Sequence, residues 1–348
     1  MTTEQKVELV ARNAQEVVTR DELVAILEKG GTQRAYVGVE PSGLMHVGQG
    51  IILNSKINDF VKAGFDAIIL LADWHAFIND KLGGSMENIQ VCADYFVDCF
   101  KAMKADDSVR FVRAADLVAF SDYWKDVIRV SKASSVARIK RAMTIMGRKE
   151  DEGELDASKL IYPAMQVTDI HRLELTVAYG GMDQRHAHML YRDLAPKLGW
   201  RMVAAVHTPL LTGLQGGGRM DSPDAKMSKS KPESCIFLHD PPEVIGKKIS
   251  QAFCPPKTVE GNPVVELSRF VLFPHGNQLK VERPAKYGGD VTYSTFSELS
   301  SAYESGALHP EDLKKATAMT LADVLSPVRS YLERYGDNLK RIERMIGK

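Results

Sequence analysis

Residues Ala35–Gly50 read AYVGVEPSGLMHVGQG, and this stretch decides the fold. Ala35, Val37 and Val39 alternate as a short strand, which Pro41, Ser42 and Gly43 break in a turn. His46-Val47-Gly48-Gln49-Gly50 then opens an apolar-periodic segment, with Val47, Ile51, Leu53, Ile57, Phe60 and Val61, that predicts a helix. A strand, a glycine-containing turn and a helix start make a place for phosphate, because backbone N–H groups and the positive helix end face outward there. His46 adds a donor at that end, and Gly48 lets a flat base approach the backbone. An ordinary βα turn with a surface histidine reads the same way, so other stretches must decide the chemistry.

Far downstream, Thr212–Met220 (TGLQGGGRM) precedes Asp224–Pro232 (DAKMSKSKP). Lys226, Lys229 and Lys231, interleaved with Met227, Ser228 and Ser230, predict a mobile cationic loop with hydroxyl donors, suited to the charge of a departing pyrophosphate. Gly/Ser/Lys-rich sequence is more often a solvated linker, but the string Lys226–Ser230 is too particular for one. Together the two stretches resemble the signatures of class I aminoacyl-tRNA synthetases, HIGH and KMSKS. The second matches in full. In the first, Gln49 stands where a second histidine is usual, so it donates to phosphate without charge.

Phe65–Asp73 (FDAIILLAD) is a continuous apolar run ending in acid, the pattern of a strand buried on both faces of a parallel sheet. Trp74 and His75 follow its C-terminal end, where ligands sit in open α/β sheets. A helix from Met86 and a short strand over Val109–Val112 continue the alternation, which predicts a Rossmann-like, doubly wound parallel sheet. The amphipathic patterns of Met1–Gly30 are given a packing role. A formal net charge of +0 over 348 residues means that a nucleic-acid partner must be held by local patches. Cys92, Cys99, Cys235 and Cys254 form no CxxC pair and read as buried thiols in a reducing compartment rather than a zinc site. With no signal peptide or membrane-spanning run, a cytoplasmic location is expected.

Lys132, Arg138, Lys140, Arg141, Arg148 and Lys149 form a basic run without an acid, followed by Glu150, Asp151, Glu152, Glu154 and Asp156. Beside synthetase signatures this run reads as a phosphate-tracking surface rather than a solvated helix face, and it could also carry a dimer contact. In Leu160–His171 (LIYPAMQVTDIH), Tyr162, Gln166 and Asp169 converge on one face of an expected helix. Apolar neighbours surround Asp169, and a buried carboxylate needs a specific partner. Tyr179–Gln184 (YGGMDQ) places Gln184 after a double glycine, while His186 and His188 read as structural.

The combination Tyr36, Glu40, Tyr162, Gln166, Asp169 and Gln184 resembles the tyrosine pocket of tyrosyl-tRNA synthetases of the archaeal and eukaryal type. The likeness extends over LLADWHAF, IYPAMQVTDIH, GGMDQR and LLTG, nearly the whole chain. It implies that Tyr36 and Asp169 bond the substrate's phenolic hydroxyl. By the same likeness Tyr162, Gln166 and Gln184 are expected to hold its α-amino group with Glu40 close by, and Leu70 and His75 to line the pocket. It further implies ATP and Mg2+. By the same resemblance His46, Gln49, Lys226 and Lys229 are expected to do the catalytic work, with Gly38, Gly48, Met227, Ser228 and Ser230 completing the nucleotide site; no dedicated metal cage is visible in the sequence. Tryptophanyl-tRNA synthetase is the nearest alternative, and the Tyr36–Asp169 pair argues against it. A nucleotidylyltransferase should lack both the pocket and the helical tail, and a non-catalytic RNA-binding paralogue should have eroded signatures.

The expected domains are 1–233, catalytic, with a dimer or acceptor-stem insertion around 110–156, and 234–348, a helical anticodon-binding domain. The second begins where Pro-rich connectors and helices replace buried strands. An irregular hairpin is expected over Gln278–Phe296, then helices from Pro310, with Arg329, Arg334, Lys340, Arg341 and Arg344 on the last one. By resemblance, His309 stacks on the first anticodon base and Asp312 accepts hydrogen bonds from it, with Phe270 or Val271 as the second stacking position. Arg185 is a candidate for the acceptor stem. The implied partners are L-tyrosine, ATP, tRNA(Tyr) and a second copy of the chain, without a membrane.

Overall fold

The computed structural model describes residues 1–143, 156–216, 226–229 and 231–347. Its centre is a sheet of β1 (Glu16–Val18), β2 (Arg34–Val39), β3 (Asp66–Leu71), β4 (Arg110–Arg113), β5 (Val177–Gly181) and β6 (Ala204–Thr208), in the order β1-β6-β5-β2-β3-β4. β2 to β6 are parallel, and β1 pairs antiparallel with β6. The chain therefore winds outward from β2 through β3 to β4, then returns beside β2 as β5. This is the doubly wound arrangement expected, with its switch point between β2 and β5. The antiparallel edge was not foreseen. Three residues between two helices are too short to show alternation.

Period-two alternation divides the core. Ala35, Val37, Val39, Ile69 and Leu71 face one apolar cluster, while Tyr36, Ile68 and Leu70 face the other. The first cluster is closed by the helices Val47–Ala63 and Met86–Ala102, the second by Ser158–Arg172 and Arg185–Leu198. His46 caps the helix Val47–Ala63 through Nδ1, and Gly64 ends it in the left-handed region.

Beyond the sheet lie helices Pro242–Ser250, Pro263–Leu267, Phe296–Ser305, Pro310–Tyr335 and Asp337–Ile346, with a hairpin of β7 (Leu279–Val281) and β8 (Val291–Tyr293). The final basic residues divide between two helices, Arg329 and Arg334 before Gly336, and Lys340, Arg341 and Arg344 after it. Hydrogen bonds cross the expected boundary at 233/234. Val47 N–H donates to Ile236 O (2.9 Å), Leu238 N–H to Met45 O (3.0 Å) and Asn338 Nδ2 to Asp98 (2.9 Å). Among the described residues no helix is long and apolar enough to cross a membrane.

The amino-terminal helix Thr3–Ala11 is fastened under the helix Val47–Ala63 by a charge cluster that is buried at Lys56 and Asp59 and open to solvent at Arg12. Asp59 meets Arg12 at 2.6 Å and Lys56 at 3.4 Å, while Lys56 donates to Val10 O at 2.9 Å. Burial lowers the Lys56 pKa to about 8 despite its acidic neighbour. Replacing Asp59 by Ala leaves that ammonium without its counter-ion, so unfolding in urea should show a loss of about 3 kcal/mol. A loss under about 1 kcal/mol would mean that the cluster contributes little.

Candidate active site

A cleft of about 660 Å³ opens at the carboxyl ends of β2, β3 and β5, around the switch point. β2 delivers Tyr36 and Gly38, with Glu40 just beyond it; β3 delivers Leu70. The short helix Asp73–Ile78 carries His75, and the helix Ser158–Arg172 presents Tyr162, Gln166 and Asp169. Gln184 enters after Gly180-Gly181. A Cβ on Gly180 would stand 2.8 Å from the Gln184 side chain, so that position must be glycine for Gln184 to turn in.

The deep end is polar and incompletely satisfied. Asp169, 1% exposed, accepts a 2.8 Å hydrogen bond from Tyr123 on Oδ1. Its Oδ2 lies 3.1 Å from His75 Nε2 and is left without a hydrogen bond of full geometry among the described residues. Gln166 Oε1 is likewise open, while Gln166 Nε2 donates to Gln184 Oε1 at 3.0 Å. Each such buried, unpaired atom costs about 1–3 kcal/mol, and their convergence points to a polar ligand. Burial opposes charge on His75, but the Asp169 carboxylate, with Glu40 and Asp73, more than offsets it and raises the pKa. Tyr36 is held protonated by burial and by the Asp169 charge. Nearer the mouth, Tyr162 Oη donates to Glu40 at 2.6 Å, and Asn79 Nδ2 reaches both Glu40 oxygens at 3.3 Å.

The shallow end gathers the two signature stretches. Backbone pairing of Met45–Val47 with Ile236–Leu238 brings the lysine segment beside the helix start, and Met227 N–H donates to Leu211 O at 2.7 Å. Lys226 Nζ pairs with Asp183 at 3.1 Å; Lys229 Nζ donates to Ser42 Oγ at 2.7 Å and lies 5.4 Å above the Phe96 ring. Gly43, at φ +117°, shapes the turn that receives Lys229. Burial, then repulsion from Lys229 and Lys226, pushes the His46 pKa down to about 3, so the ring is neutral. Burial lowers Lys229 to about 8. Gln49 leaves Oε1 buried without a partner among the described residues.

Thus Tyr36, Gly38, Glu40, His46, Gly48, Gln49, Leu70, His75, Tyr162, Gln166, Asp169, Gln184, Lys226, Met227, Ser228 and Lys229 all line one cleft. Ser230, Arg148 and Lys149 lie outside the described residues. Sequence reasoning missed Tyr123, Ser42, Lys81 and Asp183. Of these, Asp183 carried a signal as an acid in the YGGMDQ stretch and Ser42 as part of the turn before the helix, while Tyr123 and Lys81 carried none. Among the described residues no cluster of His, Cys, Asp or Glu could hold a metal ion.

The basic candidates stand elsewhere. Lys132, Lys140 and Arg141 are exposed, while Arg138 is bound to Asp193. Arg185 grips Glu16 with two donors at 2.8 and 2.9 Å, and Glu16 also meets His207, which contacts the buried His188 at 3.0 Å. His309 is exposed at the start of the helix Pro310–Tyr335, its Nδ1 accepting from Glu311 N–H, with Asp312 one turn in. Val271 is fully buried, which leaves Phe270, half-buried against Arg269, as the surface aromatic. Cys92, Cys99 and Cys235 are buried free thiols, and Cys254 is half-buried.

The profile of the family described as class I tRNA synthetases (W and Y) matches residues 28–326. A tyrosine–tRNA ligase of Sulfurisphaera tokodaii is 50% identical over 342 residues, covering 96% of this chain and 94% of its own. The crystal structure of tyrosyl-tRNA synthetase from Aeropyrum pernix superposes with a TM-score of 0.90 at 43% identity, covering 99% of both chains. That from Pyrococcus horikoshii, complexed with L-tyrosine, gives 0.92 at 40% identity, covering 99% of this chain and 100% of its own.

A neutral His46 ring has a direct test. Its 15N resonances should not titrate between pH 5 and 8, because the pKa lies at about 3. A midpoint above pH 5 would contradict the burial and double-lysine environment described.

Proposed function

This chain belongs to the class I tRNA synthetases that serve tryptophan and tyrosine, and on that premise we propose that it joins L-tyrosine to tRNA(Tyr) at the expense of ATP. The observation that carries the choice of amino acid is the open, buried Oδ2 of Asp169 beside Tyr36 and His75. A phenolic hydroxyl supplies the missing hydrogen bond. Phenylalanine leaves Asp169 and Tyr36 unpaired, a form of rejection for which tyrosyl-tRNA synthetases are the established instance. Tyr162, Gln166 and Gln184 then receive the α-ammonium, whose charge is matched by Glu40, and Leu70 and His75 frame the ring.

The reaction needs no covalent enzyme intermediate. The tyrosine carboxylate, already ionised at neutral pH, attacks the α-phosphorus of ATP in line. An oxygen–phosphorus bond forms as the bond to the bridging oxygen breaks and pyrophosphate departs. A ribose hydroxyl at the tRNA 3′ end then displaces AMP from the adenylate. Catalysis is positioning and stabilisation of phosphoryl charge. Lys226 and Lys229 exchange Asp183 and Ser42 for phosphate oxygens. His46 and Gln49 act as neutral donors at the helix start, as do Ser228 and Ser230 in the lysine segment. Gly38 and Gly48 admit the nucleoside and phosphates to the backbone. Magnesium is proposed to arrive on ATP; of the acids in the cleft, Glu40 is engaged with Tyr162 and Asp183 with Lys226.

For tRNA we propose Lys132, Arg138, Lys140, Arg141 and Arg185 along the acceptor arm, with His309 and Asp312 at the anticodon. Arg138 and Arg185 would trade their carboxylates for phosphates. The boundary at 233/234 separates catalysis from anticodon reading in this proposal. A homodimer is supported by Phe120 and Ile128, 68% and 67% exposed, with Trp124 between them at helical spacing. The cytoplasm is the proposed location.

Exchange of labelled pyrophosphate into ATP should depend on tyrosine and not on tryptophan or phenylalanine; exchange with tryptophan would overturn the reading of Tyr36 and Asp169. Asp169→Ala should lower kcat/KM for tyrosine at least tenfold, about 1.4 kcal/mol, with little change in the KM for ATP. Equal losses toward both substrates would sink that role. Because kcat/KM for ATP reports the free enzyme, it should fall as pH rises through about 8, where Lys229 loses its proton. Lys229→Met should remove that alkaline limb.

A further inference from the structure

Glu266 is a buried carboxylate, 5% exposed, on the helix Pro263–Leu267 in the carboxyl-terminal half, and it does not line the cleft. Both of its oxygens are used on one residue. Thr212 N–H donates to Oε2 at 2.8 Å, and Thr212 Oγ1 donates to Oε1 at 3.0 Å. Thr212 is itself 4% exposed and forms an antiparallel bridge with Lys226, and the next residue, Met227, donates to Leu211 O at 2.7 Å. The neighbouring backbone leans on the same half of the chain, with Leu214 N–H on Ser234 O (2.9 Å) and Phe253 N–H on Leu214 O (2.7 Å). Burial raises the Glu266 pKa against its bonds to Thr212. Packing alone would be met at lower cost by an apolar side chain. A two-oxygen acceptor instead fixes both the height and the rotation of the Thr212 peptide.

We propose that Glu266 is a positioning residue for adenylate formation, holding Thr212 so that Lys226 and Lys229 meet the phosphates of ATP in register. It touches no substrate and acts through one strand-like bridge. The carboxylate comes from the half of the chain proposed to read the anticodon, so the nucleotide-handling lysines are set partly from outside the catalytic sheet. The inference rests on the ATP-dependent activation proposed above.

The test compares wild type with Glu266→Gln, Thr212→Val and Thr212→Ser. Glutamine presents an N–H₂ to a donor, valine removes one donor, and serine keeps it. Three quantities are measured: tyrosine affinity at equilibrium, kcat/KM for ATP in tyrosine-dependent pyrophosphate exchange, and amide hydrogen exchange at Thr212 and Met227. Glu266→Gln and Thr212→Val should lower kcat/KM for ATP by about tenfold, on the scale of one hydrogen bond to a charged acceptor. Tyrosine affinity should stay within about twofold, Thr212→Ser should behave as wild type, and the Thr212 amide should exchange faster in Glu266→Gln. Should Glu266→Gln fail to fold, the Thr212 pair decides the question alone. An active wild type with unchanged ATP kinetics in Thr212→Val, or with an equal loss in tyrosine affinity, overturns the positioning role. A wild type that exchanges with no amino acid overturns the functional reading first, and this inference with it.

Discussion

The crevice between β2 and β5 is the constraint on which the rest of the molecule depends. The two strands pair, but the connections leaving their carboxyl ends run to opposite faces where the winding reverses, and that parting leaves strand ends that no crossover covers. The polar groups of the cleft gather around those ends, from the strands, from the helices Asp73–Ile78 and Ser158–Arg172 and from the lysine segment. Alternation along β2 turns Tyr36 toward the helix Ser158–Arg172, and the strand's end releases Glu40 toward Tyr162. β5 ends in two glycines, and the second pocket wall, Gln184, folds in over them.

The cleft contains two electrostatic regimes. Its deep end holds a carboxylate under phenols and an imidazole, with acceptor atoms left open, so it suits a neutral hydroxyl and a compact ammonium. Its shallow end holds a neutral imidazole and lysine ammonium groups parked on Asp183 and Ser42, which suits an anion that brings its own charge. Burial acts at both ends, with opposite outcomes. It suppresses charge on His46 where lysines surround it, and at His75 it is outweighed by adjacent carboxylates.

Contacts between the halves of the chain explain why the nucleotide turn and the lysine segment meet although about 180 residues separate them. Ile236 and Leu238 add a short backbone ladder to Met45 and Val47, and Glu266 fixes Thr212. These are hydrogen bonds to backbone, which constrain position more tightly than apolar contact does.

The sequence by itself determined the βα alternation, the turn at Pro41–Gly43, the helix that His46 caps and the lysine string of the cleft. Each is written in a local signal: a period of two, a breaker, an apolar run, or a rare string such as Lys226–Ser230. The antiparallel edge β1, the bond from Tyr123 to Asp169, the pairing of Lys226 with Asp183 and the Glu266–Thr212 clamp were decided only in three dimensions. Tyr123 on an amphipathic helix and Glu266 in a helix of five residues look like ordinary core and surface positions. Their roles come from partners 46 and 54 residues away, and no pattern over a local window records a contact made at that separation.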